Sequence, residues 1–216
     1  MSRNRYKIVV FASSRRLGKT YFLCVIGIEQ CLRNPNSSVI FIAPTLKMAR
    51  QITKSIMREI LNDCPRHLLP KFQTQEKVWK FNNGSEMLFA GADAENIESV
   101  RGSLAHLVLI DEAGFFSDLK YAVNSVLIPT TTTTKGKILM ASTPPISPSH
   151  DFVAYVQKAQ LEGNLIKKTV YDNPRLHIDE INSLAEEVGG VDSVDFKREY
   201  LAEIITDATK AVVPEF

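Results

Sequence analysis

The chain has 216 residues, 44% of them hydrophobic and 23% charged, with a formal net charge of +2. That is enough apolar material for one sizeable core and a small appendage, and the charge balance neither demands nor excludes a nucleic-acid partner. Cys24, Cys31 and Cys64 lack metal-ligand spacing and read as reduced thiols of a cytosolic protein. Apolar runs such as Ile8 to Ala12 are too short for a signal peptide or a membrane span.

In chain order, Ile8 to Phe11 is a short strand of the buried type, and Tyr21 to Leu32 reads as a helix with Cys24 and Cys31 on its inner face. Val39 to Ile42 is a second strand. The stretch from Pro44-Thr45 to about Asp63 places Ala49, Ile52, Ile56, Ile60 and Leu61 at helical spacing, and Pro65 and Pro70 close it. Val78 to Phe81, the turn Asn82-Asn83-Gly84 and Glu86 to Ala90 form a β-hairpin. Asp93 to Glu98 is a short helix, Leu107 to Ile110 a strand, and Thr130 to Thr134 a strand edge or loop. Lys137 to Ala141 is a strand, Phe152 to Glu162 a helix, and Leu165 to Tyr171 a last strand. Strands alternating with helices predict an α/β fold: a mainly parallel sheet covered on both faces, with the hairpin as an antiparallel edge.

Two segments carry chemistry. Ser13-Ser14-Arg15-Arg16-Leu17-Gly18-Lys19-Thr20 lies between the first strand and the first helix. It follows the phosphate-loop pattern G-x-x-x-x-G-K-[ST], with Ser13 in place of the first glycine. Backbone N–H groups of Ser13 to Gly18 cradle phosphates there, and the helix N-terminus adds its positive dipole end. Lys19 pairs with the terminal phosphates and Thr20 ligates Mg²⁺. About 90 residues on, within one domain's length, Leu107 to Ile110 ends in Asp111-Glu112. A carboxylate at the C-terminal end of a buried strand sits where α/β sheets place ligands. Asp111 is suited to hold Mg²⁺ through water, and Glu112 to polarise an attacking water. The pair predicts a nucleotide hydrolase using ATP and Mg²⁺.

Five segments together resemble the ATPase domain of the large terminase subunit, the DNA-packaging motor of tailed bacteriophages. They are the loop Ser14 to Thr20, with Arg15 where that family carries an arginine, and the acid strand Val108 to Ala113. Ala141-Ser142-Thr143-Pro144-Pro145 resembles the coupling motif, Tyr171-Asp172-Asn173-Pro174 the Asn-Pro turn, and Arg198 to Glu203 the close of the domain. The resemblance implies a RecA-like (ASCE) P-loop fold over residues 1–205, with 206–216 starting a linker toward a nuclease domain. The family's adenine-binding segment is shortened to Met1 to Lys7. The resemblance also implies double-stranded DNA, a portal protein and a small terminase subunit as partners, and a homo-oligomeric, pentameric ring. It places the work in the cytoplasm of the infected host, docked on the procapsid portal. Pro44-Thr45-Leu46-Lys47-Met48-Ala49-Arg50-Gln51 also resembles a nucleic-acid-contacting motif of superfamily 2 helicases, so a helicase domain is the alternative. A nucleotide-gated assembly domain without turnover is a third reading, against which stand the intact Lys19, Asp111 and Glu112.

Within that resemblance Arg101, before Gly102, takes the position from which terminases supply an arginine to the neighbouring subunit. A surface ion pair with Glu95 or Glu98 is its plainer role. Arg15 is the expected sensor of bound nucleotide, and Arg15 and Arg16 are the candidates for action within the same subunit. Ser142 and Thr143 are placed to hydrogen-bond the water or γ-phosphate and relay hydrolysis onward. Lys47, Arg50, Lys54 and Arg58 at helical spacing, and Arg66, Lys71, Lys77 and Lys80 around the hairpin, suit phosphate contacts with DNA or a solvated face.

Overall fold

A computed structural model describes residues 7–206, apart from the side chains of Thr53 and Ala94. The expected linker at 206–216 and the shortened segment at 1–7 lie almost wholly outside the described residues. Eight strands form one sheet: β1 (Ile8–Ser13), β2 (Ser38–Ala43), β3 (Lys71–Gln73), β4 (Val78–Lys80), β5 (Glu86–Gly91), β6 (Leu107–Asp111), β7 (Lys137–Ser142) and β8 (Leu165–Lys168). Their order is β3-β4-β5-β2-β6-β7-β1-β8. Every pairing is parallel except β3 with β4 and β4 with β5. The expected hairpin is β4–β5, but β5 turns inward to pair with β2, and the edge is made by β3, which the sequence reading did not identify.

The central strands are apolar on both faces, as strands covered on both sides must be. Val10, Ala12, Ile40, Ile42, Val108, Ile110, Ile138 and Met140 point to one core. Their sequence neighbours Phe11, Val39, Phe41, Ala43, Leu109 and Ala141 point to the other. The second core is covered by α1 (Lys19–Arg33), α2 (Leu46–Lys54) and α3 (Ile56–Leu61). Behind the first lie the short α4 (Ala94–Ile97), a helical stretch over residues 119–130, and α7 (Asp151–Glu162). That stretch is built of α5 (Leu119–Tyr121), a π-helical segment Ala122–Leu127, and α6 (Ile128–Thr130). A smaller cluster of Val170, Ile181, Ala185 and Phe196 joins α8 (Ile178–Glu187) and α9 (Val194–Tyr200) into a cap beside β8.

Two expectations changed and one alternative was decided, each for a local reason. The helix expected to run to about Asp63 breaks at Ser55, whose hydroxyl donates to the Gln51 carbonyl at 2.7 Å. Such back-bonding bends helices. The last strand stops at Lys168 because Thr169 N–H donates to Asp172 Oδ2 at 2.8 Å, opening a capping box. Of the strand edge or loop expected for the threonine run, the structure has the loop: Thr131 to Thr134 lie in a turn directly after the helical stretch. Thr130, Thr131 and Thr132 each donate to a carbonyl three or four residues back, closing the helical stretch before it.

Candidate active site

β1 delivers Ser13 and Ser14 to the loop fully buried, and both hydroxyl oxygens are buried without a partner in the protein. Positive φ is taken at Arg16 (59°) and Gly18 (82°), and not at Ser13. A side chain is therefore accommodated where the usual pattern has its first glycine, while Gly18 occupies a backbone conformation that favours glycine. α1 starts directly afterwards, so its first turn faces the loop.

Lys19 follows, 5% exposed, with Nζ donating to the Ser14 carbonyl at 3.0 Å and lying 3.8 Å from Glu112 Oε1. Burial lowers its pKa, and the charges of Glu112 and Asp111 oppose that shift. Thr20 Oγ1 donates to Asp111 Oδ2 at 2.8 Å across the gap from α1 to β6. Asp111 is 2% exposed, and its other oxygen, Oδ1, is buried with no hydrogen-bond partner. Burial, and then the charge of Glu112, push its pKa up to about 6.

Glu112 sits at φ 50°, left-handed for a residue with a long side chain. That costs free energy, and such strain gathers at functional sites. Its Oε2 accepts from Ser142 Oγ at 3.3 Å, and Ser142 Oγ accepts from Gly114 N–H at 2.9 Å. Ser142 ends β7, whose Ala141 pairs with Asp111 and whose Ser142 pairs with Ala12 of β1. The sheet register thus brings the loop, the acid strand and Ser142 together. Ser142 serves Glu112 and Gly114, and Thr143 is buried beside it at 1% exposed.

The Arg15 side chain is held outside this group. Arg15 Nε lies 2.7 Å from Glu199 Oε2, and Arg15 N–H donates to the Glu199 carbonyl at 2.8 Å. Asn173 Nδ2 donates to the Arg16 carbonyl at 3.3 Å, and Ser14 N–H to the Lys168 carbonyl at 3.0 Å. The Asn-Pro turn and the Arg198–Glu203 stretch are therefore clamps on the phosphate loop. Nothing in the sequence near the loop marked Glu199 or Lys168 as its partners, because those contacts span more than 150 residues.

Arg101 pairs with Glu98, not Glu95: Nε to Oε2 is 2.6 Å. Arg101 Nη2 also donates to Tyr121 Oη at 2.8 Å, and Tyr121 Oη donates to Glu98 Oε1 at 2.7 Å, closing a three-residue ring. Tyr121 was not anticipated, since the helical stretch carrying it was not. A cavity of about 560 Å³ lies at the other end of β1 around Lys7, Ile8, Tyr155 and Asn164, and no loop residue lines it.

The family model described as "Terminase large subunit, T4likevirus-type, N-terminal" matches residues 10–211. The chain belongs to this family. No curated protein sequence matches it. Among solved structures, the large terminase ATPase domain of Thermus phage P74-26 superposes with a TM-score of 0.69 at 19% identity, covering 94% of this chain and 90% of that one. The large terminase of another thermophilic bacteriophage gives a TM-score of 0.72 at 16% identity, over 93% of this chain and 49% of that one. It has also been solved with ADP and with ATP-gamma-S. The large terminase of bacteriophage HK97 gives 0.62 at 13% identity, over 89% and 42%. The terminase chain thus spans about half the length of these longer relatives. At such identities the superpositions bear on fold alone, and the fold is the mainly parallel RecA-like sheet expected from the sequence. No helix among the described residues is long and apolar enough to cross a membrane.

Proposed function

We propose that this terminase chain is the ATP-hydrolysing domain of a packaging motor that drives double-stranded DNA into a procapsid. The observation that carries the reading is the convergence of Lys19 and Thr20 with Asp111 and Glu112, from two segments about 90 residues apart, within hydrogen-bonding or ion-pairing reach. Lys19 binds the terminal phosphates, moving from the Ser14 carbonyl onto oxygens of higher charge. Glu112 orients water for in-line attack and accepts its proton. Ser142 positions the Glu112 carboxylate, so its part in reporting hydrolysis runs through Glu112.

The residues fit Mg²⁺. Asp111 Oδ1 is a buried oxygen with no protein partner, beside the Thr20 hydroxyl. No group of three or more His, Cys, Asp or Glu that could cage a metal occurs among the described residues. Magnesium held with nucleotide takes only one or two protein oxygens, the rest coming from phosphates and water. Thr20 and Asp111 would hold it, and when bound it supplies charge neutralisation at the phosphates.

Arg15 senses nucleotide by exchanging Glu199 for phosphate oxygens. Arg101 acts in trans on the neighbouring subunit of a pentameric ring, leaving Glu98 and Tyr121 to do so. The remaining readings follow from the family: residues 1–205 as the ATPase unit with a linker from 206, and a portal protein and small terminase subunit as partners. Assembly then takes place on the procapsid portal in the infected host's cytoplasm.

The test is complementation. Glu112→Gln is expected to keep ATP binding and lose about 10²–10⁴ in turnover. Arg101→Ala is expected to bind ATP and turn over slowly in associated subunits. Mixing the two restores activity, because some interfaces then join an intact Glu112 to an intact Arg101. Normal turnover by Glu112→Gln removes the catalytic assignment. Failed rescue among demonstrably associated subunits returns the arginine role to Arg15 or Arg16.

A further inference from the structure

β8 and β1 run side by side up to the phosphate loop, with Lys168 level with Ser13. The ladder continues past the strands, since Ser14 N–H donates to the Lys168 carbonyl at 3.0 Å. The chain then folds into a 3₁₀ turn at Val170–Asp172, held by Thr169 N–H and Lys168 Nζ, each 2.8 Å from an Asp172 carboxylate oxygen. Asn173 returns to the loop by donating to the Arg16 carbonyl, and its Oδ1 accepts from Arg175 N–H at 3.0 Å. Residues 168–173 therefore flank the loop and are joined to its backbone at both ends. β1 stands between β7 and β8 in the sheet, so Glu112 and Ser142 lie on the opposite flank.

From Lys168 to Asn173 every side chain but one is engaged. Val170 packs inward against Ile181, Ala185 and Phe196, and the Thr169 hydroxyl joins Lys168 on Asp172. Tyr171, next to the buried Val170, is turned outward at 52% exposed, and among the described residues neither its ring nor its hydroxyl has a partner. An exposed tyrosine on a free loop would need no explanation. This one stands on a turn whose place beside the phosphate site is set by hydrogen bonds to Ser14 and Arg16. The rival is Tyr21, also exposed, in the first turn of α1 directly after Thr20. Its neighbour Phe22 is taken up by an edge-on contact with Phe11, 5.6 Å between ring centres.

We propose that the Tyr171 ring stacks on the base of the bound nucleotide. The proposal rests on the reading of the loop as a nucleotide site, and adds where the nucleoside end lies. Lys19 and Glu112 take the terminal phosphates, so ribose and base extend away from the acids, toward the flank that β8 forms. A base is flat, and stacking on an aromatic ring buries its face without calling on a particular edge. Tyr171 therefore distinguishes a nucleotide from a bare polyphosphate and treats adenine and guanine alike. The clamped turn holds the ring in place before binding, which limits the ordering cost of the contact.

The test uses the 216-residue chain with Mg²⁺ and compares ADP with pyrophosphate by isothermal titration calorimetry. Both ligands offer two phosphates to the loop, and only ADP carries a base. Tyr171→Ala is expected to weaken ADP by roughly 5- to 150-fold, the range of base–aromatic stacking, and to leave pyrophosphate binding as it was. GDP should weaken in step with ADP. Tyr171→Phe keeps the ring and should keep ADP affinity. In steady state the KM for ATP should rise in Tyr171→Ala while kcat holds. Unchanged ADP affinity in Tyr171→Ala overturns the proposal, as does a loss confined to Tyr21→Ala. Equal losses for ADP and pyrophosphate make Tyr171 a support of the turn and overturn it too. A loss in Tyr171→Phe as large as in Tyr171→Ala assigns the contact to the hydroxyl and overturns stacking. A wild type that binds pyrophosphate as tightly as ADP has no base site, so the proposal falls while the phosphate loop stands. A wild type that binds neither takes the ATPase reading down with it.

Discussion

Lys19, Asp111 and Glu112 meet at the end of the sheet with Lys19 and Asp111 only 5% and 2% exposed, whereas Arg101, Glu98 and Tyr121 join in a ring on the surface. Both groups set cations against carboxylates. The buried group carries an unpartnered carboxylate oxygen, a raised acid, a lowered lysine and a left-handed glutamate. In the exposed ring each polar group has a partner, and water can replace any of them at little cost. The first is a site preorganised at the expense of stability; the second is a holder whose contents can leave. Under the proposed function both properties are used, divided between the two places.

The largest effect should come from disturbing the buried group without touching its charges. A Cβ at Gly114 would stand 2.8 Å from Ser142 Oγ and 2.9 Å from the Thr143 carbonyl. The backbone carbonyl cannot swing away as a side chain does, so Ser142 and the Glu112 it holds must move. Gly114→Ala should therefore lower turnover by up to about 10², the scale of an ångström's misplacement of a catalytic group. Nucleotide binding through Lys19 should survive. Equal losses of binding and turnover, measured by ADP titration beside steady-state hydrolysis, would place the damage in the fold rather than at Glu112.

How much of this was legible in the sequence divides along the same line. The phosphate loop, the acid strand and the parallel sheet were readable because each is a local pattern: an apolar run, then a loop glycine or a carboxylate. The helical stretch over 119–130 was not. Val123, Val126, Pro129 and a run of threonines disfavour an α-helix, and the chain resolves the conflict with π-helical geometry and threonine back-bonds. Tyr121 went unseen with it. Ser142 was singled out, yet its bonds to Glu112 and Gly114 depend on sheet register, which residue type alone does not reveal. The clamp of Glu199 on Arg15 is likewise a product of tertiary packing.

A second effect is on stability. The folded-state pKa of Asp111, about 6, lies above the ordinary aspartate value of 3.8, so ionising it opposes folding. The cost is absent below about pH 4, grows between about pH 4 and 6, and is fully present at neutral pH. Asp111→Asn keeps the shape and an acceptor for Thr20 while removing that charge. In EDTA at pH 7.5 it should stabilise the chain by roughly 1–3 kcal/mol, at about 1.4 kcal/mol per pKa unit. The gain should fade as pH drops to 4, while Mg²⁺-dependent turnover is lost at every pH. Denaturant melts of both proteins across that range measure it. A less stable Asp111→Asn at neutral pH would mean that the Lys19 charge outweighs burial.

The smallest effect belongs to the ring. Tyr121→Phe deletes one acceptor for Arg101 Nη2 and one donor to Glu98, and leaves the Arg101–Glu98 ion pair. Since all three groups are open to water, the melting temperature should not move with or without added salt. If the ring holds Arg101 in reserve, losing one restraint makes its transfer to a neighbour easier. Turnover by associated subunits should then rise by less than the tenfold that one net hydrogen bond can supply. Dilution to isolated subunits should erase the difference, because an arginine with no neighbour to reach gains nothing from release. A rise that persists on dilution would mean that Arg101 acts in its own subunit. A fall in turnover at unchanged stability would mean that the tyrosine presents the arginine rather than retaining it.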